Sequence, residues 1–93
     1  MSSLVATVNP GIKQMRREVD RYRRFVRAHL LAYGGSWDSI TPARKSPNPF
    51  ARFLFFSRRF DALMKMPASS ERDDALRVIH NSLWRVATNI DSK

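Results

Sequence analysis

The 93-residue sequence contains no cysteine, which removes disulfides and thiolate metal sites from consideration. Histidine is almost as scarce: His29 and His80 lie far apart, outside any metal-ligand spacing. Neither has a carboxylate at a diagnostic spacing to orient it, so both read as structural or surface residues. Long apolar runs are missing too. The longest, Phe53-Leu54-Phe55-Phe56, falls far short of the roughly 20 residues that span a bilayer, so no transmembrane segment is expected. There is no glycine-rich phosphate loop and no Ser/His/Asp set, so an enzyme reading has no residues to carry it. RNA-recognition, KH and zinc-finger signatures are likewise absent. A chain of this length makes a single domain over 1–93 with a limited core. Without disulfides or metal, a bound partner is the remaining source of added stability.

Acid is in short supply where base is not. Residues 1–60 hold twelve basic residues against Glu18, Asp20 and Asp38, which accounts for the whole net charge of +9. Residues 61–93 balance to zero, with five of each sign. Arginine outnumbers lysine thirteen to four. Its planar fork suits phosphate and carboxylate recognition, so an acidic partner is expected: RNA, an anionic membrane surface or an acidic protein. No secretory signal pattern is seen. Residues 1–17 lack acids and carry Ser2, Ser3, Lys13, Arg16 and Arg17, in the manner of a mitochondrial import segment.

The apolar pattern is helical throughout. Asn9-Pro10 reads as an N-cap with proline at the first helical position. Ile12, Met15, Val19, Tyr22, Val26, Leu30 and Tyr33 then recur at steps of three or four, and Gly34-Gly35 supplies the stop. This predicts a first helix over about 10–33. A long loop follows, pinned by Trp37 and Ile40. Asn48-Pro49 repeats the start signature, and Phe50, Phe53, Phe56, Phe60 and Met64 stripe a second helix over about 49–66, stopped by Pro67. Ser70, with Glu71, Asp73 and Asp74 behind it, opens a third helix over about 70–90, and Asp73 and Asp74 read as helix-start acids. Its stripe is Leu76, Ile79, Leu83, Val86 and Ile90. The expected fold is an all-α, three-helix up-down-up bundle with an extended N-terminus.

Two features exceed what such a bundle needs. Large apolar residues fall off the core stripes: Phe55 and Met66 on the second helix, Val78 and Trp84 on the third, Leu31 and Phe25 on or beside the first. They suggest a second apolar surface, or a tunnel between helices, that a partner fills. On the first helix, Lys13, Arg16, Arg17, Arg21, Arg23, Arg24 and Arg27 face only Glu18 and Asp20. Like charges four apart, as in Lys13/Arg17 and Arg23/Arg27, weaken a free helix by a few tenths of a kcal/mol each. A counter-charged partner relieves that repulsion.

The string Arg21-Tyr22-Arg23-Arg24-Phe25-Val26-Arg27 resembles the signature of the LYR-motif family: Leu-Tyr-Arg, a spacer, two apolar residues and a further base. Tyr22, Arg23, Phe25, Val26 and Arg27 fit, while Arg21 stands where the family has leucine. Ser57-Arg58-Arg59-Phe60 resembles the family's phenylalanine in a basic second helix. The resemblance implies a non-catalytic accessory or assembly subunit of a mitochondrial complex, foremost a respiratory-chain complex, in or facing the matrix. It implies binding to the acidic acyl carrier protein, with no cofactor of its own, the partner's acylated phosphopantetheine arm threading between the helices. Tyr22 would border the entrance, Arg23 and Arg27 would meet acid or phosphate with Arg24 in support, and Phe60 would line the tunnel. The charge pattern adds Arg17 to the acid-binding face, and the off-stripe pattern adds Phe25, Phe55 and Trp84 as the tunnel or apolar partner surface. The charge alone leaves two alternatives: a mitochondrial ribosomal protein holding rRNA through its arginines, and a peripheral subunit on anionic lipid.

Overall fold

The computed structural model describes residues 11–91. The Asn9-Pro10 start and the expected extended N-terminus lie outside the described residues. Three α-helices form: α1 Ile12–Ala32, α2 Pro49–Met64 and α3 Ser70–Asp91. A short 3₁₀ turn, Trp37–Ser39, interrupts the loop between α1 and α2. There is no strand among the described residues, and no helix long and apolar enough to cross a membrane.

The helix ends follow from local chemistry. At the end of α1 the Gly35 N–H donates to the Leu30 carbonyl and the Gly34 N–H to the Leu31 carbonyl, both at 3.0 Å. This is the paired bonding of a Schellman motif, and it holds Gly34 at φ 74°, where a side chain is strained. At the start of α2, Asn48 Oδ1 accepts from the Phe50 N–H at 2.9 Å, with Pro49 in the first turn. This helix ends at Met64, two residues short of the expected boundary, because Lys65 already takes the capping position. The cap of α3 is Ser69, one residue earlier than expected: its Oγ accepts from the Arg72 N–H at 3.0 Å.

Contacts between helices fix the topology. Tyr33 meets Phe50 and Arg23 meets Asp61, so α1 and α2 run antiparallel. Glu18 meets His80 while Tyr33 and Ile90 share a groove, so α1 and α3 run parallel. The bundle is up-down-up. The α3 helix packs broadly on both others, whereas α1 and α2 touch only sparsely. Met15, Val19, Tyr22 and Val26 from α1, Phe53, Phe60 and Leu63 from α2, and Leu76, Leu83, Val86, Ala87 and Ile90 from α3 form one core. Burying each large apolar side chain of this set contributes roughly 1.5–3 kcal/mol. Trp37 from the loop stacks on Phe53 at 6.4 Å, pinning the connection over the α1/α2 seam.

Candidate partner-binding surface

Arg16, Arg23, Arg24 and Arg27 border the sparse α1/α2 seam. Lys13, Arg16, Arg17, Arg21, Arg24 and Arg27 are all exposed. None of the six makes an ion pair among the described residues. Glu18, expected to oppose them, points the other way and is buried in the core. Asp20 is thus the one acid left on this face of α1, and it lies 3.7 Å from Arg23.

Arg23 differs from its neighbours because it is a strut. Its Nε donates to Ser57 Oγ at 2.7 Å, and its Nη2 donates to the Ser57 carbonyl at 3.0 Å and to Asp61 Oδ1 at 2.8 Å. The guanidinium therefore ties α1 to α2 with three contacts from one planar group. A groove opens on each side of it. Toward the end of α1 lies a cavity of about 330 Å³ lined by Arg23, Arg24, Arg27, Trp37, Phe53 and Leu54. Its floor is apolar and its rim cationic. Toward the start of α1 lies a more polar groove of about 460 Å³ between Arg16, Asp20, Phe60, Asp61 and Lys65.

The other expected site residues separate. Tyr22, expected on an entrance rim, is fully buried in the core with its hydroxyl lacking a hydrogen-bond partner. The helical stripe that made it visible is the reason: position 22 lies in line with Val19 and Val26. Burial, then the Glu18 carboxylate, pushes its pKa up to about 12, with Arg21 pulling the other way. Phe60, expected to line a tunnel, is also core, though its edge reaches the second groove. Phe25 is half-buried against His29, ring centroids 4.4 Å apart, and His29 Nδ1–H donates to the Phe25 carbonyl at 3.0 Å. Trp84 packs on the core edge, its indole N–H buried without a partner. Phe55 packs edge-on against Phe56 and lies with Val78 in a groove between α2 and α3. Arg17, Arg24 and Arg27 are brought together on one exposed face; Phe25, Phe55, Phe60 and Trp84 do not form one surface.

Sequence reasoning missed the Glu18–His80 contact, at 2.6 Å with both side chains buried. A signal was present. Glu18 is three residues past Met15 and four before Tyr22, and His80 is four past Leu76 and three before Leu83. Both therefore occupy positions on the core stripes. No protein-family model matches the chain, and no curated protein or solved structure is similar to it.

Proposed function

We propose that this chain is a non-catalytic accessory or assembly subunit of a mitochondrial multi-protein complex, in or facing the matrix, that binds an acidic partner protein through α1. The observation that carries this reading is the row of six exposed cations on α1, unpaired among the described residues. A solvated helix face ordinarily mixes signs; this one leaves mutual repulsion for a partner to relieve. The adjoining groove has Trp37, Phe53 and Leu54 beneath Arg24 and Arg27. An apolar floor under a cationic rim suits a protein or acylated partner better than a bare phosphate backbone. The resemblance of the Tyr22–Arg27 string to the LYR motif makes acyl carrier protein the first partner to test, and a respiratory-chain complex the setting. In this reading Arg17, Arg21, Arg24 and Arg27 meet the acid, while Arg23 and Tyr22 hold the helix that presents them.

The test is titration calorimetry of the full chain against acylated and unacylated acyl carrier protein at low and high salt. Binding is expected to weaken with salt, and Arg24→Glu/Arg27→Glu to lower affinity about tenfold or more. Affinity unchanged by that double substitution removes the site. Crosslinking in mitochondrial extracts that yields rRNA fragments along α1 and residues 44–59, with no protein neighbour, supports the ribosomal alternative instead.

A further inference from the structure

A second surface lies on the side of the bundle that α1 does not reach. Between α2 and α3 is a groove of about 470 Å³ lined by Arg44, Phe55, Phe56, Arg59, Val78, Ile79 and Ser82, with no α1 residue among them. Its floor is apolar. Phe55 and Phe56 meet edge to face at 5.4 Å, and Val78 is 63% exposed in mid-helix. Phe56 and Ile79 also pack against the core, but Phe55 and Val78 do not, because Phe53 and Phe60 on α2 and Leu76 and Leu83 on α3 already fill it.

The rim decides what the floor receives. Arg44 and Arg59 are exposed and make no ion pair among the described residues. Arg85, seven residues beyond Val78 and so on the same side of α3, is exposed as well. No acid lines the groove; Asp74, one turn before Val78, is already paired with Arg77 at 3.0 Å. Ser82 Oγ–H is taken up by the Val78 carbonyl. Two antiparallel helices leave a straight trough between them, which accepts the ridge of a third helix.

We propose that the α2/α3 groove is a second docking site, which takes an amphipathic helix with apolar residues at three- and four-residue spacing and acidic residues on its flanks. Apolar anchors enter between Phe55 and Val78, and flanking carboxylates meet Arg44 and Arg59. The site does not depend on what binds α1. With both surfaces free at once, the chain can bridge two partners.

The test uses the full chain and a fluorescein-labelled synthetic helical peptide with leucine at the anchor positions and glutamate elsewhere. Controls are the same peptide with lysine for glutamate, and a scramble. Amide chemical-shift mapping is expected to place the glutamate peptide on Phe55, Phe56, Val78, Ile79 and Ser82. Arg44→Glu/Arg59→Glu, both exposed and so harmless to folding, should weaken binding about tenfold, and Val78→Asp likewise, whereas Arg24→Glu/Arg27→Glu should change it less than about twofold. Shifts confined to α1, or equal binding of the lysine peptide, overturn the proposal. So does a concentration-dependent dimer dispersed by Val78→Asp, which puts a second copy in the groove.

Discussion

Glu18 on α1 and His80 on α3 meet in the core, Oε1 to Nε2 at 2.6 Å, although 62 residues separate them in sequence. Gln14 Nε2 donates to the other carboxylate oxygen at 2.9 Å. One hydrogen is shared between the carboxyl oxygen and the imidazole Nε2 in this contact. Packing alone tolerates sliding, whereas a hydrogen bond is directional, so the pair selects one register of α1 against α3. Removing one partner deprives the other of this buried bond. His80→Leu is expected to cost about 3 kcal/mol in urea denaturation, and Glu18→Leu a similar amount. The double substitution Glu18→Leu/His80→Leu should recover most of that loss. Additive single effects would show that the two do not interact.

Tyr22 carries a different cost. Its ring fills the core 5.7 Å from the His80 ring, but its hydroxyl is buried without a partner. Tyr22→Phe should therefore stabilise the protein at neutral pH, by about 1 kcal/mol. Alkali sharpens the contrast. The folded chain keeps the Tyr22 proton up to about 12, while the unfolded chain releases it near the ordinary value of 10.0. Between those values the unfolded state binds fewer protons, so stability falls as pH rises from about 10 through about 12. The loss should reach roughly 2–3 kcal/mol, and Tyr22→Phe should abolish that component of the alkaline transition.

The fold was legible because its information is local. Every three- or four-residue step in α1 from Met15 to Leu30 marks a buried residue, and Asn48 starts α2 and Gly34 ends α1 as their chemistry requires. The candidate surface was half legible. Exposed arginines announce themselves in composition, but which arginine is a strut depends on Ser57 and Asp61, 34 and 38 residues away. No spacing rule links them. The same limit hid the buried role of Glu18: beside Arg17 it looks like a surface counter-charge until His80 arrives from another helix. The off-stripe apolar residues divide for a related reason. A helical wheel gives direction about one axis and says nothing of which neighbour stands there, so Phe55 and Val78 converge while Trp84 goes elsewhere.

Arg23 should behave unlike the arginines around it. Its three contacts to α2 are partly exposed, so Arg23→Ala is expected to cost about 1–2 kcal/mol, measured by thermal or urea unfolding. Lysine should rescue less than half of this, because a single ammonium cannot reach Ser57 Oγ, the Ser57 carbonyl and Asp61 together. Equal stability of the lysine variant and the native chain would mean that the charge alone holds the seam.

At Arg27, stability and binding should move in opposite directions. The residue is exposed, has no ion pair among the described residues, and follows Arg23 by four positions and Arg24 by three. Arg27→Glu converts two repulsive neighbour pairs into attractive ones, each worth roughly 0.2–0.5 kcal/mol. No acid lies three or four residues from it to offset the gain. The variant should therefore unfold at higher urea concentration than the native chain while binding an acidic partner more weakly. A residue conserving stability would show the first change in reverse. A solvated face with no partner would show the first change without the second. Measuring unfolding and partner affinity on the same preparation separates these cases. A gain in stability accompanied by a loss of affinity identifies repulsion maintained for binding.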